Sequence, residues 1–292
     1  MIDVLKLLGE RNPALAAKLP RGAARLLQLV THQGRINRLL RGFPGGGGPD
    51  AGAGGVGDLG VTAKDSLHFC RYILDDLGIS TRVIGEEHLH RASRPVVCCN
   101  HPTGGVEGLV MMEALLRLHG TCRVPANDLL CLIAPLAPVL VPVNRAAPSR
   151  GAATAFLDAF AGDEPILVFP AGVTARVRAG VLREYPWESA FVSRARRSGR
   201  ELLPARVSGR NSHHFYLIHR IRRALGIQFN LEMALLVDEL FRRRGDTVVV
   251  EFLPPRKPFC GAADGTRTRE RDRLLAAQIR REVEHAGEGG VT

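Results

Sequence analysis

Between Val4 and Leu40 apolar residues recur at helical spacing: Leu15, Leu19, Ala23, Leu26 and Val30 step by four, four, three and four, with Lys18, Arg21 and Arg25 at other positions. Pro13 and Pro20 divide this segment into two or three helices. The periodicity stops at Gly42–Gly60, a glycine-dominated run with Pro44 and Pro49 that predicts a flexible linker. It resumes with a helix over Ala63–Leu77, a strand over Thr81–Gly85, a short apolar strand over Val96–Asn100 and a helix over Leu109–Leu118. Farther on, Gly151–Ala161 reads as a short helix, Pro165–Phe169 and Glu201–Val207 as apolar strands, Phe229–Arg243 as an amphipathic helix and Thr247–Leu253 as a last strand. The charged stretch Arg267–His285 reads as a helix with a solvated face. Strands alternating with helices predict an α/β fold: a mixed, largely parallel central sheet flanked by helices, preceded by an N-terminal amphipathic helical segment. The expected divisions are 1–41, the basic helical segment, 42–60, the linker, and 61–292, the main domain.

Composition narrows the functions this pattern can serve. The 292 residues, 45% of them apolar, suffice for one large core or two modest ones, and one main domain is the expectation. Six cysteines, at 70, 98, 99, 122, 131 and 260, show no CxxC spacing, which argues against a zinc site or disulfide framework and for a reducing compartment. Asp3 and Lys6 interrupt Met1–Gly9, so no secretory signal is expected there. The longest apolar run, Leu129–Val143, is too short and too broken by proline to cross a bilayer. A net charge of +11 calls for an anionic partner: nucleic acid, an anionic membrane or an acidic protein. Nucleic acid is the weakest of the three, because aromatic residues make up only 5% and the arginines form no single arm. Basic amphipathic helices suit an anionic membrane interface, and they equally suit a lid packed on their own domain.

The chemistry concentrates in the turn after the Val96–Asn100 strand, which holds His101, Gly104, Gly105 and Glu107. Open α/β sheets place ligands at the carboxyl ends of strands, where side chains and free helix N-terminal N–H groups face one crevice. A neutral imidazole beside a carboxylate is a general base: the carboxylate fixes the tautomer and stabilises the imidazolium. No serine stands in the turn, and Cys98 and Cys99 lie upstream in the strand, so direct deprotonation of an acceptor outranks a covalent acyl-enzyme. The bland reading, weighed equally, makes His101 a helix cap or a ligand of a backbone carbonyl. Phe169-Pro170-Ala171-Gly172 with Arg176 is a second strand ending in a glycine turn, and Arg145 follows an apolar run where it serves either as an anion clamp or as a surface residue. His88 and His90 read as surface residues, His213 and His214 as loop or helix-start residues, and Trp187 as packing.

In order along the chain stand Asn-His-Pro-Thr-Gly-Gly-Val-Glu-Gly at 100–108, Val-Asn-Arg at 143–145, Phe-Pro-Ala-Gly at 169–172 with Arg176, Pro-Trp-Glu-Ser-Ala-Phe at 186–191, and Ser-Gly-Arg-Asn-Ser at 208–212 with Phe215 and Tyr216. This ordered set, over Lys64–Pro255, resembles the hemolysin-like branch of the glycerolipid acyltransferases, which includes lyso-ornithine lipid O-acyltransferases and is related to 1-acylglycerol-3-phosphate acyltransferases. The resemblance implies acyl transfer from an acyl carrier protein or coenzyme A thioester to a lysolipid hydroxyl, with neither metal nor redox cofactor. It implies His101 as base, Glu107 as its partner, Arg145 in the acceptor-binding block, Phe169, Pro170, Ala171 and Gly172 in the substrate-binding block, and Pro204 in the last block. Asn100, Gly104, Gly105, Arg176, Arg210 and Asn211 complete the expected substrate contacts.

Two positions depart from the family pattern: Glu107 stands where aspartate is common, and Val173 where a glutamate often follows the proline-alanine pair. N–H groups of a glycine turn, or a nearby arginine, are the expected oxyanion donors. The expected location is cytoplasmic, peripherally at the inner face of the cell membrane. The competing readings are a soluble transferase or thioesterase acting on a non-lipid acceptor, and a catalytically weakened lipid-binding homologue.

Overall fold

The computed structural model describes residues 6, 28, 32–44, 60–127, 130–143, 150–178, 180–226, 235–258 and 265–286. In chain order the elements are α1 Gln33–Gly42, α2 Ala63–Asp76, β1 Ser80–Ile84, α3 Glu86–Arg91, β2 Val96–Cys99, α4 Val106–His119, β3 Val124–Asn127, β4 Leu140–Val143 and α5 Arg150–Ala161. They continue as β5 Ile166–Val168, β6 Arg176–Arg178, β7 Val181–Arg183, α6 Ala190–Arg197, β8 Leu202–Val207, α7 His213–Ala224, α8 Leu236–Arg242, β9 Thr247–Phe252 and α9 Gly265–His285. The chain gathers into two compact units, one of 61–210 with 245–292 and a smaller one of 1–60 with 211–244.

The larger unit is built on a five-stranded sheet in the order β1-β9-β8-β2-β5. Every pairing is parallel except β8 with β9, giving the mixed, largely parallel α/β sheet expected from the sequence. β2 sits between β8 and β5, and all four of its residues are buried. A central strand covered on both faces needs apolar residues at every position, which is why Val96-Val97-Cys98-Cys99 shows no alternation. One side of the sheet is filled by Phe160, Trp187, Phe191, Val192 and Ala195 together with Ala276, Ile279 and Val283 of α9. The highly charged α9 is therefore more than a solvated face. Its Ala276, Ile279 and Val283, three and four residues apart, form a narrow apolar stripe against the sheet, and buried Asp272 pairs with Arg196 of α6 at 3.1 Å.

Two smaller ribbons were not foreseen. The apolar run Leu129–Val143 is divided: its described part forms two single-turn helices and then β4, which pairs in parallel with β3. β6 and β7 form an antiparallel hairpin turning at Gly180, whose φ of 79° lies in the left-handed region. Arg200 is buried at 1% exposure, and its guanidinium donates to the carbonyls of Ala159, Phe160, Gly162, Glu164 and Arg94. It thereby satisfies the open carbonyls at the end of α5 and holds the loop leading into β5.

In the smaller unit, Ser212 caps α7 by accepting the Phe215 N–H, and Glu239 of α8 accepts both the N–H and hydroxyl of Ser212. His32, just before α1, lies 2.7 Å from Asp238, and Arg35 stacks 3.9 Å over the Phe241 ring. α7 was not foreseen as a helix, although His213 and His214 do start one. Of the helix expected over Phe229–Arg243, residues 236–242 are helical and 229–234 lie outside the described residues, as do Leu15–Pro20 and most of the glycine-rich run. No described helix is long and apolar enough to cross a membrane.

Candidate active site

The site is assembled where β2 ends. The Asn100 side chain continues the strand pairing in place of backbone: its Nδ2 donates to the Val207 carbonyl at 2.9 Å and its Oδ1 accepts the Val207 N–H at 2.7 Å. Both polar groups of Asn100 are thus engaged in locking β2 to β8. The chain then turns through His101-Pro102-Thr103-Gly104-Gly105 into α4. Gly104 adopts a φ of 89°, a conformation costly for any residue with a Cβ.

That turn wraps its own carboxylate. Oε1 of Glu107 accepts the N–H of Thr103 at 2.9 Å and of Gly104 at 2.5 Å, while Oε2 accepts the N–H of Gly105 at 3.2 Å and the Thr103 hydroxyl. Nδ1 of His101 stands 2.9 Å from Oε1, at ion-pair distance but out of line for a straight hydrogen bond. Glu107 is fully buried, and the imidazole is 21% exposed. Burial pushes the Glu107 carboxyl up, but His101, by contact and by charge, the Thr103 hydroxyl and the Gly104 N–H outweigh it and hold the group at about 2. The carboxylate is therefore ionised across the physiological range, and its position at the start of α4 places it at the favourable end of the helix dipole.

A second carboxylate meets the same turn from a different element. Glu184, directly after β7, accepts the His101 backbone N–H at 2.6 Å through Oε1 and the Trp187 indole N–H at 2.8 Å through Oε2. Burial pushes this carboxyl up, with the Glu107 charge adding to the rise, while the Trp187 and His101 N–H groups and the His101 charge oppose it. Since residue 102 is proline, every backbone N–H from 101 to 105 is directed at a carboxylate. Of the oxyanion donors expected, a glycine turn or a nearby arginine, the N–H groups of the 103–105 turn are directed at Glu107.

The second glycine turn lies beside the imidazole. The Phe169 ring stacks against His101 with centroids 4.7 Å apart, and the Ala175 N–H donates to the His101 carbonyl at 2.9 Å. Pro170 accepts the Glu188 N–H, Ala171 is buried, and the Gly172 N–H closes on the Phe169 carbonyl. Arg176 is buried, and its Nη1 donates to the carbonyls of Thr174 and Ala175 and to the Thr174 hydroxyl, so this guanidinium braces its own loop. Val173 is half-buried. Arg210 is exposed, and Asn211 belongs to the smaller unit, where its N–H donates to the Tyr216 hydroxyl. Arg145 lies outside the described residues. His101, Glu107, Gly104, Gly105 and Phe169–Gly172 are thus brought together, and Asn100 and Arg176 hydrogen-bond to protein groups as described.

Sequence reasoning missed Thr103 and Glu184. Thr103 sits inside the quoted 100–108 block, where a hydroxyl four positions before a carboxylate was an available signal. Glu184 lies two residues before the quoted 186–191 block. Trp187, read as packing, does pack, at 6.1 Å from Phe191, and its indole also carries the bond to Glu184. Burial pushes the thiols of Cys98 and Cys99 up, so neither is poised as a nucleophile.

An imidazole beside an ionised, fully buried carboxylate at the carboxyl end of a central strand has the geometry in which a ring nitrogen can take a proton from an attacking group. Residues 6–273 match the acyltransferase family, and the chain belongs to that family and is an acyltransferase. Among known proteins, it is 32% identical over 257 residues to the lyso-glycine lipid O-acyltransferase of Bacteroides thetaiotaomicron, a match covering 87% of this chain and 88% of that protein. It is 29% identical to the protein of the same description from Phocaeicola vulgatus, covering 87% and 86%. Among solved structures it is similar to the 1-acyl-sn-glycerophosphate acyltransferase PlsC of Thermotoga maritima, at 13% identity and a TM-score of 0.44 over 79% of each chain.

Proposed function

We propose that this acyltransferase moves a fatty acyl group from an acyl carrier protein or coenzyme A thioester to the hydroxyl of a lysolipid. The favoured acceptor is a lyso-aminolipid of the glycine or ornithine type, with a lysophospholipid next. The observation that carries the reading is the His101–Glu107 pair, 2.9 Å apart, with the imidazole partly exposed and the carboxylate fully buried, in a chain whose relatives are described as lyso-glycine lipid O-acyltransferases.

With Nδ1 turned to Glu107, Nε2 is the nitrogen left to accept the acceptor proton. As the proton moves to Nε2, the acceptor oxygen bonds to the thioester carbonyl carbon. Collapse of the tetrahedral adduct breaks the C–S bond, and the imidazolium returns the proton to the departing thiolate. No covalent acyl-enzyme is formed, and the chemistry calls for no metal or redox cofactor. General-base participation of this kind contributes roughly 10²–10⁴-fold to rate.

The acceptor places the enzyme at a membrane, and we assign it to the cytoplasmic side, peripherally bound to an anionic lipid surface. The charge of +11 and the basic amphipathic pattern of 1–41 support this, as does α7, which exposes Leu217, Ile221 and, just beyond it, Leu225, four residues apart beside Arg220 and Arg223.

The test is to supply purified protein with labelled acyl-coenzyme A or acyl carrier protein and, in turn, lyso-glycine lipid, lyso-ornithine lipid and lysophosphatidate, with products read by mass spectrometry. Diacylated product from one of these lysolipids, lost in His101→Ala, is the expected result. Free fatty acid formed equally without any acceptor would instead identify a thioesterase.

A further inference from the structure

We propose that Glu184 is a positioning residue for acyl transfer: it fastens the main chain of His101 so that the imidazole stays aimed between Glu107 and the acceptor. The inference rests on the reading of His101 as the base. The β6–β7 hairpin closes on His101 like a clip. Ala175, the residue before β6, donates its N–H to the His101 carbonyl at 2.9 Å, and Glu184, the residue after β7, accepts the His101 N–H at 2.6 Å. The two peptide groups of His101 are thus fixed from both ends of one hairpin. The clip is anchored in turn, because the other Glu184 oxygen takes the indole N–H of Trp187, which lies in the sheet core with Phe191 and Val192. On the remaining side the Phe169 ring limits rotation of the imidazole.

A carboxylate is an expensive way to fill a buried position, since burying a charge costs free energy unless strong partners offset it. Here the partners are two N–H groups, and one of them is the backbone of the base itself, 83 positions away in sequence. With both oxygens engaged, Glu184 does not reach the reacting atoms, so it acts through His101. The titratable and charged groups around it are His101, Glu107 and Cys99, together with Arg280, whose Nη1 approaches the Glu184 backbone carbonyl at 3.4 Å. Glu184→Gln therefore replaces a carboxylate next to His101 with a neutral group of nearly the same shape.

The experiment compares Glu184→Gln, Trp187→Phe, His101→Ala and the His101→Ala/Glu184→Gln double variant, with palmitoyl-coenzyme A and lyso-glycine lipid. His101 ring titration is followed by NMR in the unliganded protein. In Glu184→Gln, kcat is expected to fall about tenfold or more with KM within about twofold, and the His101 ring titration to move to lower pH. Trp187→Phe, which keeps the carboxylate and the ring packing but removes one anchor, is expected to lower kcat by a smaller factor with KM unchanged. The double variant is expected to be no slower than His101→Ala, because both changes act on one group. The proposal is overturned if both single variants keep kcat within twofold and the ring titration stays put, if the loss appears in KM alone, or if Glu184→Gln slows His101→Ala further. Wild-type activity in His101→Ala would overturn the base assignment itself, and this proposal with it.

Discussion

Glu107 accepts the N–H of Gly104, three residues before it, at 2.5 Å, so the carboxylate that faces the candidate base is also part of the turn that carries that base. If His101 is the base, catalysis and local stability meet in one group. Glu107→Gln keeps the shape but replaces an oxygen accepting N–H groups with an amide that donates. We expect acyl transfer to fall by roughly 100-fold or more, in line with loss of a base-orienting carboxylate, together with a clear drop in melting temperature, measured side by side on one preparation.

The same group sets a pH dependence. Its folded value of about 2 lies below that of an exposed glutamate. A depressed carboxyl contributes stability that is fully present above the unfolded pKa and lost as pH falls through the folded one. From a shift of this size the contribution is on the order of 3 kcal/mol near neutrality. Denaturant titrations at pH 7, 4 and 3 are expected to show the wild type losing stability over this window, with Glu107→Gln losing less.

Glu107→Asp tests the departure from the family's usual aspartate. On this backbone the carboxylate withdraws by one methylene from four donors and from Nδ1 of His101. A misplacement of that size predicts a loss in kcat/KM of about tenfold with a folded enzyme, read by steady-state kinetics. An unchanged or faster Glu107→Asp enzyme would show that the turn follows the carboxylate.

Arg200 predicts stability without catalysis. Its five backbone acceptors cannot all be served by an ammonium, and it lies among α5, β5 and the loop before β2, away from His101. Arg200→Lys leaves buried carbonyls unsatisfied and is expected to cost roughly 3 kcal/mol, with specific activity of the folded fraction retained. Chemical denaturation together with an activity assay below the transition checks both halves.

Strands β2 and β5 of the sheet were legible because they are buried on both faces and so read as unbroken apolar runs, Val96–Cys99 and Ile166–Val168. The pair His101–Glu107 was legible because both members lie in one turn. What escaped depends on contacts far apart in sequence. Glu184 has meaning only through the backbone of His101, and the apolar stripe of α9 is three residues wide among charges. Asn100 carries a polar group suited to a ligand, yet the neighbouring strand uses it first. The β6–β7 hairpin is too short and too rich in arginine to show a period of two.

Membrane association is tested on α7. Leu217 is 51% exposed, Ile221 49% and Leu225 69%, and no acidic residue occurs between Ser212 and Gly226, so the outward face is apolar with an arginine edge. A helix of this kind gains from entering the headgroup boundary of an anionic bilayer, through apolar burial and through attraction of about 1 kcal/mol per arginine. Leu217→Gln/Ile221→Gln is expected to reduce cosedimentation with vesicles containing 30% phosphatidylglycerol by about fivefold or more. Activity on detergent-dispersed lysolipid should be unchanged, because neither residue belongs to the unit that holds His101. Raising the salt should weaken binding of the wild type and leave the variant's residual binding equally salt-sensitive, since the arginines remain. Undiminished sedimentation of the double variant would move the contact surface elsewhere on the chain.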